Sequence, residues 1–330
     1  MCLLYGFSKE KNYLVNNCKN KSLHSSIIIS GQKGIGKKKL IYTVIKEIVN
    51  FSVDKKIVNH YINLINTNSH PNIRYLSKEF DEKTNKNKSY ITINQIRNLN
   101  SFIYESSLDD FYKFVIIDSA DDLNINASNS LLKILEDPPN KTYFFLISHQ
   151  LSSLLNTIRS RCLKLKLQNH DFDIFKLIIK KKINNIHEES IKFLFDLSKG
   201  SPGVALDFHD EDVYNLYNKI LYSLVDKNPL SKNNIDLSSQ LSKFSNDKFK
   251  IFILLFKFIL INLSKIKIGI NIFDQYLSNN LNLLVNLSNN ISNTTILNRL
   301  EYLIKNENDL FAYNLDKNFF IMNFFLEIEK

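Results

Sequence analysis

Tryptophan is absent from this chain, and cysteine, proline and glycine are scarce, with 3 Cys, 5 Pro and 7 Gly in 330 residues. Three scattered thiols, Cys2, Cys18 and Cys162, cannot build a disulfide framework, and no CxxC pair offers a cysteine zinc site. Low glycine and proline exclude collagen-like, elastic and mucin-like chains. Long hydrophobic runs are also missing. The most apolar stretch, residues 251–263, carries Lys257 in its middle. It falls short of the roughly 20 apolar residues that a spanning helix needs, so it reads as a buried helix. The first residues, MCLLYGFSKEKNYL, hold no long apolar core and no cleavage signal. These absences lead us to expect a reduced, soluble, cytoplasmic protein with no membrane partner.

The composition that remains is globular: 44% of residues are hydrophobic and 23% charged. The length suits two or three domains. The net charge is +10, and it is local: the first 100 residues carry 17 Lys and Arg against 6 Asp and Glu, whereas the remainder is nearly balanced. Such an excess fits either a polyanion near the N-terminal region or a solvated lysine-rich surface. Only five of the 43 basic residues are arginine: Arg74, Arg97, Arg159, Arg161 and Arg299. A planar guanidinium is harder to replace than an ammonium, so the close pair Arg159 and Arg161 stands out.

Buried strands are expected at Ser26-Ile27-Ile28-Ile29, at Phe114-Val115-Ile116-Ile117 ending on Asp118, at residues 143–147 and, shorter, at 163–167. Helical patterns lie between them, at about 38–50 and 126–137, the latter stopped by Pro138-Pro139. Thr92 and Gln95 have the spacing of a capping box and open another helix. Alternating strands and helices imply a parallel α/β sheet with a crevice at the strand C-termini. From about residue 169 the strand signal fades. Three short helices are expected at 171–182, 188–199 and 203–210, and a long helical stretch follows from 213.

Gly31-Gln32-Lys33-Gly34-Ile35-Gly36-Lys37-Lys38 matches GxxxxGK between a strand and a helix, the pattern of a phosphate-binding loop. The glycines let backbone N–H groups turn inward, and Lys37 would reach the β and γ phosphates. A metal-dependent loop then needs a Ser or Thr hydroxyl, where this chain has Lys38. Lys38 permits weak or metal-independent ATP binding at most. Asp118 can serve as the metal-associated carboxylate, but Ser119 stands where many ATPases have a water-activating glutamate. Asp121 and Asp122 are expected to point elsewhere.

These residues resemble a known family. The loop from Gly31 to Lys37, the strand ending at Asp118, Leu131-Leu132-Lys133-Ile134-Leu135-Glu136-Asp137-Pro138-Pro139, Ser148-His149 and Ser160-Arg161-Cys162 occur in the order found in delta-prime subunits of bacterial DNA polymerase III clamp loaders. Leu23-His24, His70-Pro71, Ile93 to Arg97 and Gly200-Ser201-Pro202-Gly203 add to the likeness, which covers about residues 1–210.

The resemblance implies an AAA+ P-loop domain over 1–168, a helical lid over 169–212 and a helical collar over 213–330. It implies a stator that hydrolyses little or no ATP and presents Arg161 to the ATP of a neighbouring motor subunit. Arg159 would flank that residue and Cys162 would pack beneath it. Ser148 falls at the family's sensor position, and His149 beside it reads as structural. Implied partners are the gamma/tau motor subunits, the delta subunit, the sliding clamp and primer–template DNA bound without sequence preference, for which Thr92 and Arg97 are contact candidates. Residues 51–90 hold no Cys, so the zinc module of many relatives is not expected, nor any other metal. The lid stretch Gly200-Ser201-Pro202-Gly203-Val204 lacks the nucleotide-sensing arginine of motor subunits. Two alternatives stay open: an ATP-hydrolysing motor subunit of the same loader, and a P-loop nucleotide kinase.

Overall fold

The computed structural model describes residues 4–81, 86–105, 111–225, 228, 230–270 and 278–326, so Cys2 and Pro229 lie outside the described residues. The chain divides into two units, Met1–Ile174 and Phe175–Lys330. In order, the first unit contains α1 (Ser8–Lys19), β1 (Ser26–Ser30), α2 (Lys37–Ser52), α3 (Val58–Asn66), β2 (Ile73–Leu76), β3 (Phe80–Asp81), β4 (Lys86–Asn87), α4 (Ile93–Tyr104), β5 (Lys113–Asp118), α5 (Ile125–Glu136), β6 (Thr142–Ser148), α6 (Asn156–Arg161) and β7 (Leu163–Lys166).

Five of these strands form one parallel sheet in the order β2-β5-β6-β1-β7. The apolar runs are continuous because both sheet faces are covered. Alternate residues serve different faces. Ile27, Ile29, Phe114, Ile116 and Phe145 pack with residues of α1, α2 and α3, whereas Ile28, Val115, Ile117, Phe144 and Leu146 pack with residues of α4, α5 and α6. Register then sets the site: Ser30 lies opposite Ser148, and Asp118 lies opposite Ile147. The C-terminal ends of β1, β5 and β6 therefore stand level, and β1 sits between β6 and β7, where connections diverge and a crevice opens.

α4 is pinned at both ends. At its start, the Thr92 backbone N–H donates to Gln95 Oε1 over 2.9 Å, and Gln95 Nε2 donates to Ser77 O over 2.9 Å. At its end, buried Lys113 Nζ donates to Phe102 O over 2.6 Å and Ile103 O over 3.1 Å, carbonyls that the helix leaves unpaired. The helix start is also fixed to the turn after β5, since Ile91 N donates to Asp122 O over 2.7 Å.

The second unit is helical throughout its described residues. It takes in α7 (Phe172–Lys182), which crosses the division, then α8 (Glu188–Ser198), α9 (Pro202–Asp210), α10 (Val213–Val225), α11 (Lys232–Ser242), α12 (Asn246–Lys267), α13 (Ser278–Asn290), α14 (Asn293–Ala312) and α15 (Lys317–Leu326). The apolar stretch 251–263 lies inside α12, where Phe249, Phe252 and Phe256 are buried and Lys257 is paired with Glu307 on α14. Phe256 meets Phe324 of α15 edge to face, with ring centroids 4.2 Å apart. Among the described residues no helix is long and apolar enough to cross a membrane.

Phe144 is fully buried on the central strand β6. Phe144→Ala is expected to cost about 3–5 kcal/mol in urea denaturation, the range for a large core deletion.

Candidate functional site

The phosphate loop follows β1. Gly31, Gly34 and Gly36 all have positive φ, at 151°, 81° and 104°. At Gly31 a side chain is also sterically barred, since a Cβ would lie 2.8 Å from the Leu167 carbonyl oxygen. The chain after β7 braces the loop from the same side. His170 Nε2 lies 2.8 Å from Ile35 O, and Asn169 Nδ2 donates to Gln32 Oε1 over 2.7 Å. Both residues belong to the first unit, whose limit is Ile174.

Lys37 opens α2 and is only 4% exposed. Its Nζ donates to Gly31 O over 2.6 Å and to Gln32 O over 2.7 Å. Burial lowers its pKa to about 8, against the opposing pull of Asp118 and Asp121. Lys38 Nζ stands over the ring of Tyr75, 3.7 Å from its centroid, and the Tyr75 hydroxyl donates to Asp118 Oδ2 over 2.6 Å. Burial, then the bond to Asp118, raise the Tyr75 pKa, so this phenol stays a donor. Lys37, Lys38 and Asp118, with Lys33, Lys39, Gly34, Gly36, Ile147 and His149, line a cleft of about 470 Å³. Gly31 and Ser148 stand outside that lining.

Asp121 is not among the residues that line the cleft; it joins the ends of β5 and β6. Ser119 Oγ donates to Asp121 Oδ2 over 2.9 Å, while Ser148 Oγ and Ser153 Oγ donate to Oδ1 over 2.7 and 2.8 Å. The backbone N–H groups of His149 and Gln150 donate to Oδ2 as well. Burial pushes this carboxyl up, but the His149 amide and the three hydroxyls together outweigh it, and the pKa is lowered. Ser148, expected as a sensor, therefore spends its hydroxyl on Asp121. Asp122 does turn away, to Lys78 at 3.1 Å. The imidazole of His149 is held below its usual pKa, chiefly by burial and then by Lys37.

Arg161 ends α6 and is not among the residues lining the cleft. Its Nη2 lies 2.7 Å from Glu136 Oε1 at the end of α5, and Nη1 donates to Thr157 O over 3.0 Å. About a third of the side chain (36%) stays exposed, so the guanidinium is oriented yet reachable. Arg159 Nη2 donates to Asn156 Oδ1, and Cys162 is buried, its thiol pushed up to about 12 by desolvation. Thr92 is half-buried at the start of α4, and Arg97 is exposed one turn on. The structure thus brings the loop lysines and Asp118 together, and leaves Arg161 and the Thr92–Arg97 helix start at separate places. Sequence reading missed Tyr75, the role of Asp121 and the Glu136 partner of Arg161, because each acts on a residue far along the chain.

A parallel sheet of this order, with a phosphate loop after β1 and an aspartate closing β5, defines a P-loop protein of the AAA+ class. The sequence profile described as "DNA polymerase III, delta subunit" matches residues 7–171. The chain is 30% identical over 225 residues to the DNA polymerase III subunit delta' of Buchnera aphidicola subsp. Schizaphis graminum, a stretch covering 64% of each chain. It is 33% identical over 150 residues to the subunit delta' of Pseudomonas aeruginosa, covering 46% of this chain and 44% of that one. Among solved structures, a DNA polymerase III gamma subunit-related protein from Thermotoga maritima superposes with a TM-score of 0.50 at 18% identity, over 96% of this chain and 98% of that one, a likeness of fold alone. The chain belongs to the family of DNA polymerase III delta-prime subunits. Its match spans less than two thirds of the length of those two delta' relatives.

Because the Asp121 pKa is lowered on folding, its contribution is present above the unfolded carboxyl value near 3.9 and fades as pH falls through the lower folded value. Asp121→Asn removes an acceptor from the His149 amide and should cost about 1–3 kcal/mol at pH 7. Urea denaturation should show that gap closing on acidification below about pH 4.

Proposed function

We propose that this chain is the stator of a replicative clamp loader, a subunit that turns over little or no ATP itself and lends Arg161 to a neighbour. The observation that carries this reading is the Arg161 guanidinium, held by Glu136 and the Thr157 carbonyl, still partly exposed, and outside the chain's own cleft. A guanidinium so placed can meet the γ-phosphate of another subunit's ATP and stabilise charge that develops there in the transition state. Lys38 and Ser119, at positions where a hydroxyl and a glutamate would serve hydrolysis, support the passive role of the chain's own loop. The delta' and gamma subunit names of its relatives support motor subunits of the gamma/tau kind as neighbours, with a delta subunit and the sliding clamp in the same cytoplasmic assembly. Within that assembly residues 169–212 would act as a lid and 213–330 as a collar.

Reconstitution with the motor subunits of the same organism tests this. Arg161→Ala should leave assembly intact and lower ATP turnover at the site it faces by about 10³-fold or more, and Arg161→Lys should not rescue it. Unchanged turnover in an intact ring would overturn the stator reading. Turnover by the isolated chain that disappears in Lys37→Ala would make it a motor subunit instead.

The capped start of α4, with Arg97 exposed on its first turns, suits a phosphate of primer–template DNA. In the ring, Arg97→Ala should weaken binding alike for all sequences and reduce the salt slope of log K by about 1, measured by fluorescence anisotropy across salt concentrations.

A further inference from the structure

A P-loop that works with a divalent metal holds Mg²⁺ between a hydroxyl after the loop lysine and a carboxylate from a neighbouring strand. Mg²⁺ demands oxygen ligands in near-octahedral geometry. The residues here do not fit it. The hydroxyl position carries Lys38, which offers no acceptor and adds a positive charge. That ammonium is parked on the face of Tyr75, 3.7 Å from the ring centroid, and Tyr75 in turn engages one oxygen of Asp118 at 2.6 Å. The nearby carboxylate of Asp121 accepts from three hydroxyls and from backbone amides. Asp118 is the single carboxylate among the lining residues of the cleft, against four lysines, Lys33, Lys37, Lys38 and Lys39.

We propose that Lys38 replaces the metal: the cleft binds a polyphosphate, pyrophosphate or the phosphate tail of a nucleotide, in its metal-free form, and Mg²⁺ weakens the complex. The polyphosphate brings negative charge to a cleft lined by four lysines and one carboxylate, and the loop's backbone N–H groups and the start of α2 supply its hydrogen bonds. Tyr75 sets where the ammonium stands, on a ring fixed by the hydrogen bond to Asp118. Mg²⁺ added to such a ligand brings a second cation into a place already held by one, and it sequesters the phosphate oxygens that Lys38 would contact. This inference rests on the reading of the loop as non-hydrolysing and specifies what that loop still recognises.

Calorimetric titration of the 330-residue chain with pyrophosphate and with ATP, in excess EDTA and in excess Mg²⁺, tests it. Tighter binding in EDTA than in Mg²⁺ is expected. Lys38 is exposed, so its replacement spares the core. Lys38→Met should weaken binding in EDTA by about tenfold or more, the loss of one charged hydrogen bond. Lys38→Thr combined with Tyr75→Phe, which restores a hydroxyl and frees Asp118 while keeping the ring, should make binding depend on Mg²⁺. Thermal melts of each variant separate lost binding from lost folding. Binding by the unaltered chain that is as tight or tighter with Mg²⁺, or no binding in either condition, overturns the proposal. Neither result bears on the Arg161 assay in the assembled ring, so the two readings fail separately.

Discussion

Asp121 ties together the ends of two neighbouring strands, and the site depends on that tie. β5 and β6 are parallel and level, which puts the groups that follow them side by side with no covalent link nearby. One carboxylate closes the gap by accepting from Ser119 on one side and from Ser148, His149 and Ser153 on the other. Ser119 and Ser148 are buried, so their hydroxyls would otherwise be left without a partner at the strand ends. With this turn fixed, Asp118 is aimed at Tyr75 and His149 forms a wall of the cleft. The same turn carries Asp122, whose carbonyl holds Ile91 just before α4. The start of α4 and the floor of the cleft therefore share one short segment of chain.

What the sequence disclosed follows from the range of each interaction. β1, β5 and β6 were legible because burial on both faces makes their apolar runs continuous. β2 was not: it has four residues, borders the sheet and includes exposed Arg74. α1 and α3 also escaped notice, for the polar face of α1 is rich in asparagine and lysine and that of α3 in asparagine, residues that abound throughout the chain. The phosphate loop was readable because its glycines and lysine are contiguous. The Tyr75–Asp118 bond joins residues 43 apart, and Ser148 reaches Asp121 across 27, so no local pattern announces either. Both pairings depend on which strands become neighbours, and only the sheet order supplies that.

Arginine scarcity is a signal of limited worth by itself. Arg299 is 3% exposed inside the second unit, and Arg74 lies over the ring of Phe102 at 4.8 Å. Arg299 serves packing, and Arg74, though exposed, rests on an aromatic ring. Arg161 has an acidic partner that orients it while about a third of its side chain stays exposed. Exposed salt bridges of this kind add little stability. Glu136 is therefore better understood as fixing direction: it limits the rotamers of a long side chain and leaves part of its planar fork available.

The loop's shape and its phosphate chemistry are separable, and this explains how one can persist as the other changes. Its shape rests on protein contacts: Gly31 against the Leu167 carbonyl, Lys37 on the carbonyls of Gly31 and Gln32, and His170 at the carbonyl of Ile35. A metal takes no part in any of them. Those contacts join β1 and its loop to the segment that follows β7, and β7 begins two residues after Arg161 and pairs with β1, Leu163 opposite Ile27. A collapsed loop would loosen Leu167 and, through β7, the end of α6. The fold of the phosphate loop thus helps to hold Arg161 in place whatever the loop itself binds.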